Sequence, residues 1–500
     1  RPFLCWTSAQ RAGVNNAPQT LAEVHRRWRP EARVLVIDSS TPEAAAALAA
    51  DPDGVAEQWD AIYCSPSISS GISFQRWKPA AVIAYAGGRI APEHAAQALA
   101  RVRCPDVPAY LFAPERGTGG ALKVGSGSTD PAELIRHLQA VTDPLFGQLQ
   151  AGGEAWLEGW AELGAHRNRQ HFGYGATIVG LLEAEGWQLQ DPGPEPCPAA
   201  GAKAAADLAA IAKTALAAAD AAVIAAPQLE PEAAAALQRR RQRTPAERAA
   251  LQRHRLVERW ALGTAAPSLQ LLEADRDGLR DRLRLGWILT TPEALALIPG
   301  HDQQRIAALD PTGQPFAPDR LRVTLGPKVA ALIALGLPQL LARFSAGEVI
   351  AATDPAVLAL HATATAHHAQ LVAATGWSPG KLATGTLRTL LQACGWKLQR
   401  VGRIKARGAR RDALTYRAQR LALPEGVDAK ALAAAWLAEL QAAATGALFT
   451  PTRDFCRGRK CPTPPDHGPP PPHRPSAWGR VVPIAWAAAL RSHQSVPIAA

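Results

Sequence analysis

The sequence lacks methionine altogether in its 500 residues. Residues 1–6 are mostly apolar, a composition typical of a buried strand rather than of a translation start. We therefore expect the chain to be a fragment of a longer protein, with at least one domain upstream of Arg1.

Cysteine is sparse, and long hydrophobic runs are missing. The seven cysteines are scattered and odd in number, which excludes the paired framework of a small secreted fold and favours reduced thiols. The sequence has no run of about eighteen apolar residues and no secretory signal pattern, and its hydrophobic 47% is mostly alanine interrupted by charge. These absences predict a cytoplasmic protein without a membrane partner.

A phosphate-binding loop of the Gly-x-x-x-x-Gly-Lys-Ser/Thr type is also missing. Residues 376–382 have the wrong spacing and no hydroxyl after Lys381, and residues 117–123 fail as well. No Asp-Glu pair follows a strand to hold Mg²⁺. The sequence therefore excludes a self-contained ATPase of that class.

The last fifty residues have little hydrophobic periodicity. Past Thr450 the composition changes to proline, which predicts a disordered tail over residues 450–500. Four potential zinc ligands in this tail, Cys456, Cys461, His467 and His473, match no compact finger spacing. We predict no metal site.

Positive charge is what the chain has in excess. The formal net charge is +11 and the sequence pI is about 9.6, which favours a polyanionic partner. The excess is concentrated in residues 397–420, where nine basic residues accompany the single acid Asp412. This segment is the predicted nucleic-acid footprint.

Five short apolar runs occupy the first part of the chain, separated by helical or loop spacers. They cover residues 3–6, 34–37, 61–64, 80–85 and 109–112. Strands that alternate with helices predict an α/β domain with a parallel sheet, covered on both faces. Ligands of such sheets bind at the carboxyl ends of the strands, so the loop after Cys64 is a candidate site.

That loop is rich in hydroxyl groups. Its candidate nucleotide- or DNA-binding residues are Ser65, Ser67, Ser70, Gly71 and Ser73. Small hydroxyl side chains, with a glycine that allows close backbone approach, suit contacts with phosphate or ribose. An ordinary turn between a strand and a helix has the same composition.

A helix predicted to start near Pro92 carries three candidate catalytic residues. Gln97 and Arg101 are four residues apart and are predicted to share a helical face, whereas Arg103 precedes Pro105 and can leave the helix. An arginine placed against a γ-phosphate stabilises transition-state charge. A solvated basic helix face is the alternative interpretation.

In their order along the chain, these segments resemble the C-terminal motor domain of superfamily-2 helicases. Residues 65–73 match motif V and residues 97–103 match motif VI, with Arg103 two positions after Arg101 where many relatives have three. The resemblance is closest to origin-binding, helicase-like plasmid replication proteins of cyanobacteria and covers residues 1–125 best. It implies a RecA-like fold, with ATP and Mg²⁺ bound mostly by a domain upstream of this chain.

The rest of the chain is divided by composition. We predict a mainly helical region over residues 126–375 with a linker near 191–200, a basic winged-helix-like module over 376–425, and a terminal helix over 426–449. Within the module a strand over residues 396–401, a basic turn over 402–411 and a strand over 413–416 follow a helix. The predicted DNA-binding residues are Arg403, Lys405, Arg407, Arg410 and Arg411.

Together these features predict part of an ATP-dependent DNA helicase that acts at the replication origin of a plasmid or phage. Its partners would be origin DNA or a junction of single-stranded and duplex DNA, together with replisome proteins. Alone, the chain is expected to show only background ATP hydrolysis. The alternatives are a non-catalytic DNA-binding replication initiator and a structural or RNA-binding protein.

Overall fold

A computed structural model describes ten segments of the chain, divided between two compact units. The described segments are residues 2–9, 14–66, 72–118, 123–146, 154–190, 198–240, 243–309, 324–404, 413–445 and 480–486. Unit 1 comprises Arg1–Leu134, Glu158–Gln252 and Pro469–Ala500. Unit 2 comprises Ile135–Leu157 and Arg253–Gly468.

The strands and helices are numbered in chain order. The strands are β1 (Phe3–Thr7), β2 (Val34–Ile37), β3 (Ala61–Cys64), β4 (Ala81–Tyr85), β5 (Ala109–Ala113), β6 (Trp187–Gln190), β7 (Ile350–Ala351), β8 (Trp396–Ile404), β9 (Ala413–Arg420) and β10 (Arg480–Trp486). The helices of the first half are α1 (Pro18–Trp28), α2 (Pro42–Ala50), α3 (Pro52–Ala56), α4 (Pro92–Leu99), α5 (Pro131–Phe146), α6 (Glu154–Phe172), α7 (Tyr174–Ala184), α8 (Pro198–Ala225), α9 (Pro231–Arg239) and α10 (Pro245–Trp260). Those of the second half are α11 (Leu269–Arg276), α12 (Leu279–Thr290), α13 (Pro292–Leu309), α14 (Gly326–Ala334), α15 (Leu337–Ser345), α16 (Pro355–Ala366), α17 (His368–Thr375), α18 (Ala383–Ala393) and α19 (Ala429–Ala444).

The centre of unit 1 is a parallel sheet. Its strand order is β2-β3-β1-β4-β5, extended beyond β5 by β10 and β6, and every pairing in it is parallel. The predicted α/β class is therefore confirmed. The sheet also extends past the predicted boundary at residue 125, through β6 and β10. Residues 480–486 form β10, within the segment predicted to be a disordered tail.

Apolar residues explain why this sheet is covered on both faces. Leu4, Trp6, Ile62, Val82 and Leu111 are among the buried residues of its main core. A smaller core on the other face includes Cys5, Ala22 and Tyr63. Parallel strands that are buried on both faces carry nearly continuous apolar runs, as these do.

The order of the strands creates a switch point at the sheet's carboxyl edge. β1 leads through α1 to β2 on one side, whereas its neighbour β4 leads through α4 to β5 on the other. The chain therefore leaves the adjacent strands β1 and β4 in opposite directions. Such a point opens a crevice where ligands of open α/β sheets bind.

Helix α8 is long and alanine-rich. Among the described residues, its stretch Gly201–Ala225 is long and apolar enough to cross a membrane by length and composition alone. Its most apolar part has a mean hydropathy of 1.7, and 22% of that part is buried inside the protein. Ile211, Ala212 and Val223 of this helix are buried within the protein.

Unit 2 combines helices with an antiparallel three-stranded sheet in the order β7-β9-β8. Its core joins apolar residues of this sheet, such as Trp396, Leu398 and Tyr416, to residues of α18 and α15. The basic turn predicted over residues 402–411 begins later in the structure, because Gly402, Arg403 and Ile404 pair with β9 as the end of β8.

Candidate nucleotide and nucleic-acid sites

The described part of the hydroxyl-rich segment after β3 includes two of its predicted ligand contacts, Ser65 and Ser73. Ser65 is fully buried, and its backbone N–H donates a hydrogen bond to the carbonyl of Ile37 at 3.0 Å. Ser73 is half-buried, and its Oγ accepts from Nε2 of Gln75 at 3.0 Å. The predicted contacts of Ser67, Ser70 and Gly71 lie outside the described residues. Ser65 therefore belongs to the folded base of this loop.

Asp53 forms hydrogen bonds with the backbone at the C-terminal end of the same segment. Its buried carboxylate accepts backbone hydrogen bonds from Gln75, Arg76 and Trp77 at 2.9–3.2 Å. Burial raises the pKa of the Asp53 carboxyl, but the hydrogen bonds from Trp77, Arg76 and Gln75 outweigh it and hold that pKa below its usual range. Residues 72–80, the described stretch that leads into β4, contain no helix, so the Asp53 carboxylate orders three consecutive backbone N–H groups there.

Arg101 meets the same segment from the other side. Its Nη1 donates to the carbonyl of Ile72 at 3.0 Å, and its own carbonyl accepts from the N–H of Phe74 at 2.8 Å. Burial lowers the pKa of the Arg101 guanidinium, and the neighbouring Cys64 opposes that effect. Arg101 therefore lies beside the carboxyl end of β3, together with the base of the hydroxyl-rich loop.

Helix α4, on which Gln97 and Arg101 were predicted to share a face, is shorter than predicted. It ends at Leu99, and Val102 instead forms a parallel bridge with Phe74. The shared helical face predicted for Gln97 and Arg101 is therefore wrong, because backbone pairing with Phe74 replaces the last helical turn.

Gln97 and Arg103 differ from Arg101 in their surroundings. Both side chains are exposed. The backbone N–H of Arg103 donates to the carbonyl of Phe74 at 2.9 Å, which fixes its position along the chain. Arg103 is consequently a basic side chain on a rigid backbone, with its guanidinium available to a ligand.

Cys64 is not suited to nucleophilic chemistry. It is fully buried at the end of β3, and burial raises the pKa of its thiol to about 12 although the Arg101 guanidinium opposes that rise. A thiol with such a pKa carries almost no thiolate at neutral pH.

The switch point between β1 and β4 brings together polar groups that the sequence analysis did not select. Ser8 Oγ accepts from the N–H of Gly87 at 2.7 Å, and Thr118 Oγ1 donates to the carbonyl of Gly87 at 2.6 Å. Gly88 has φ +72, a value that favours glycine. In the sequence, this site was signalled by the hydroxyl residues Thr7 and Ser8 at the end of β1 and by Gly87 and Gly88 after β4.

The basic hairpin of unit 2 is described on its strands but not at its tip. Arg403 is exposed on β8. The predicted DNA contacts of Lys405, Arg407, Arg410 and Arg411 lie outside the described residues. Further exposed basic residues lie on the strands: Lys397, Arg400, Arg417 and Arg420. Arg420 stacks on the ring of Trp396, with Cζ 5.3 Å from the ring centroid.

Helix α18 precedes the hairpin and presents a polar row that the sequence analysis missed. Arg388 and Gln392 are exposed, and Thr384 is half-exposed one turn earlier. Leu387, Leu390 and Leu391 of the same helix are buried in the core of unit 2. The signal was present in the spacing of four between the polar residues.

Thr386 holds the start of α18 in place. It is 1% exposed, its Oγ1 accepts from the N–H of Gly380 at 3.0 Å, and it shares a hydrogen bond of 2.8 Å with Nδ1 of His361. The polar row of α18 therefore stands on a rigid support.

Within the described segments, no group of three or more His, Cys, Asp or Glu side chains could hold a metal ion. Comparison of the chain with protein-family models, with curated proteins and with solved structures found no match.

Proposed function

We propose that this chain is a DNA-binding replication protein of the helicase type. In this proposal a winged-helix-like module in unit 2 holds duplex DNA, and unit 1 is a RecA-like second motor domain. The observation that carries the proposal is the topology of unit 2, followed by the charge of its hairpin.

The support from topology lies in the order of the elements, which would start the module at α15 rather than at the predicted residue 376. Helix α15 leads to the short strand β7, helices α16 to α18 follow, and the hairpin of β8 and β9 closes the sheet with β9 in the middle. This order is that of a winged helix, in which a helix and a short strand are followed by further helices and a two-stranded wing. In a winged helix the first strand also pairs with the last. The last helix before the wing is then α18, whose exposed row is polar.

The support from charge is local. Arg388, Arg400 and Arg403 are exposed on this module. Basic side chains on a helix and an adjacent hairpin suit the phosphate backbone of DNA, because contacts with phosphates release counterions.

For unit 1, the motor interpretation is supported by the meeting of Arg101 with the base of the loop after β3. Arg103 is an exposed arginine in this region and would contact a γ-phosphate, whereas Arg101 would keep the loop in place. ATP and Mg²⁺ would be held mainly by a second motor domain, which supplies the phosphate loop. The chain by itself would show only background ATP hydrolysis, and robust turnover by the purified chain would overturn this assignment.

A non-catalytic DNA-binding initiator is the second candidate. It is favoured by the hydrogen bond of Arg101 to the backbone of Ile72, since an arginine used inside the fold needs no nucleotide. Under this candidate, substituting Arg103 in the full-length protein leaves replication of its origin unchanged. Under the motor proposal, Arg103→Ala stops it.

DNA binding by the whole chain tests the central claim. Fluorescence anisotropy with a labelled duplex, measured from low to moderate salt, gives both affinity and the salt dependence of affinity. The test variant replaces with alanine Arg403, Lys405, Arg407, Arg410 and Arg411. A matched control replaces five exposed basic residues elsewhere: Arg29, Lys203, Lys213, Arg239 and Arg255.

The test variant should lose affinity and flatten the salt dependence by roughly 0.9 in log–log slope for each phosphate contact removed. The control should retain most of both. Equal behaviour of the two variants would remove the hairpin from the DNA interface. Tighter binding of single-stranded RNA than of the duplex would replace the DNA proposal with an RNA-binding function.

A further inference from the structure

Strand β8 contains a bulge that changes which side of the sheet its residues occupy. Up to Arg400 its pairing with β9 is regular, with Leu398 opposite Ala418 and Arg400 opposite Tyr416. Gly402 is then opposite Thr415, so Val401 is an extra residue without a partner. A bulge of this kind redirects the side chains that follow it.

The consequence is that Arg400 and Arg403 lie on the same side of the sheet. Directly paired residues of an antiparallel sheet share a face. Arg400 pairs with Tyr416, and Arg403 pairs with Leu414 two residues away on the same face. In an unbulged strand, residues three apart would lie on opposite faces.

This is the side on which the helices pack. Tyr416, Leu398 and Trp396 belong to the buried core of unit 2, with the apolar residues Leu387 and Leu390 of α18. We call it the helix side of the hairpin. The exposed arginines Arg400 and Arg403 therefore lie on the same face of the sheet as the residues that pack with α18.

The other side of the hairpin, the outer side, is also basic. Lys397 pairs with Gln419, and Gln399 pairs with Arg417, all four exposed. Both sides of the hairpin therefore carry exposed basic residues, and the apolar residues of α18 are buried together with those of the helix side.

Resting on the proposed DNA-binding function, we propose that one duplex binds the helix side of this module. The polar row of α18, with Thr384, Arg388 and Gln392, would enter the major groove, while Arg400 and Arg403 grip flanking phosphates. The major groove is about 12 Å wide and admits a helix. The outer side, with Lys397 and Arg417, would face away from the duplex.

Three observations support this choice of side. The row of α18 offers a guanidinium, an amide and a hydroxyl at spacings of four, which are the donors that read base edges. Arg388, Arg400 and Arg403 form no ion pair among the described residues. The bulge moves Arg403 from the outer side to the helix side, where it shares a face with Arg400.

The experiment compares two double variants of the whole chain that remove equal charge from the same two strands. The first variant, Arg400→Ala with Arg403→Ala, removes two positive charges from the helix side. The second variant, Lys397→Ala with Arg417→Ala, removes two positive charges from the outer side. Binding to a duplex is measured by anisotropy over a range of salt. We expect the first variant to lose affinity about tenfold or more, with the salt slope smaller by about 1.8, and the second to change less than about threefold.

A charge-conserving variant tests the side directly. Arg403→Ala combined with Ile404→Arg moves the guanidinium by one residue, from the helix side to the outer side, because Ile404 pairs with Ala413 on the outer face. We expect this variant to bind DNA as weakly as Arg403→Ala alone. Restored affinity would show that only net charge matters and would overturn the proposal. Circular dichroism and the thermal midpoint confirm that each variant is folded.

The outcomes separate this inference from the function on which it rests. Equal losses in the two double variants would leave DNA binding by the hairpin in place and overturn the choice of side. Unchanged affinity in both double variants, and also in the variant that replaces all five predicted DNA-binding residues, would overturn DNA binding by the hairpin.

Discussion

Arg101 in unit 1 and the exposed arginines of the hairpin module in unit 2 have contrasting surroundings. In unit 1, Arg101 is held against the backbone of Ile72 and lies beside the buried Cys64. In unit 2, Arg388 and Arg400 extend from the module into solvent. An arginine that satisfies a backbone carbonyl supports the fold, whereas an arginine without such a partner is free to meet a ligand.

The contrast is one of surroundings rather than of units. Arg343 in unit 2 donates to both Glu348 and Asp354 at 2.6–3.1 Å, and Arg280 donates to Glu439 at 3.1 Å. These arginines resemble Arg101 in their role. Residue type and charge do not decide function here; the neighbouring acceptors do.

The largest expected effect concerns Asp53, which holds the segment that Arg101 also contacts. Asp53→Ala leaves three buried or half-buried backbone N–H groups without their acceptor, and we expect a loss of about 3 kcal/mol in the local stability of this segment. Native-state hydrogen exchange at the amides of Gln75, Arg76 and Trp77 measures it. The control is Asp51→Ala, which removes the single cap to the N–H of Gly54 and should cost about 1 kcal/mol. Equal effects would mean that Asp53 is not the anchor.

Acid should weaken the same anchor. The folded-state pKa of Asp53 is depressed, so its contribution is fully present above the unfolded pKa of about 3.9 and is lost as pH falls through the folded value. The stability difference between the natural protein and Asp53→Asn should therefore shrink as pH falls below about 4. Denaturant unfolding at several pH values measures it, and a difference that stays constant would contradict the assignment.

A somewhat smaller effect is expected at Arg101. Arg101→Ala removes a charged hydrogen bond to Ile72 and should lower the local stability around Phe74 by about 1.5–3 kcal/mol. Exchange at the amides of Phe74 and Arg103 reports it. Arg103→Ala is the matched control, and its exposed side chain should change stability by less than about 0.5 kcal/mol. A larger effect at Arg103 would reverse the roles assigned to the two arginines.

The smallest effects are expected at the exposed arginines of unit 2. Arg388→Ala and Arg400→Ala should each change stability by no more than about 0.5 kcal/mol, because neither side chain supports the fold. Thr386→Val, which removes the buried hydroxyl beneath the same helix, should cost about 1–3 kcal/mol. Denaturant unfolding followed by tryptophan fluorescence compares them. A large loss at Arg388 or Arg400 would erase the difference between the two groups of arginines.

Much of the fold was predictable because strong local signals agree with the tertiary packing. The apolar runs at residues 34–37 and 61–64 became strands with those bounds. The end of α4 was not predictable, since Val102 leaves the helix to pair with Phe74, a residue 28 positions earlier. Pairings between distant segments leave no periodic trace in either segment.

The candidate sites were predictable in part. Hydroxyl residues after β3 and basic residues after α18 were visible from composition, but the opposite environments of Arg101 and Arg103 were not. The polar row of α18 was missed because the basic residues of the hairpin dominate the local charge. The crevice between β1 and β4 depends on strand order, which spacing along the chain does not specify.

By itself, the sequence determined the α/β class of unit 1 and the excess of positive charge near the hairpin, because hydrophobic periodicity and composition are local properties. Only the tertiary structure decided which arginines are engaged within the fold and on which side of β8 the others lie. Those outcomes depend on acceptors and strand partners from distant parts of the chain. A single unpaired residue, Val401, is enough to move Arg403 from one face of the sheet to the other.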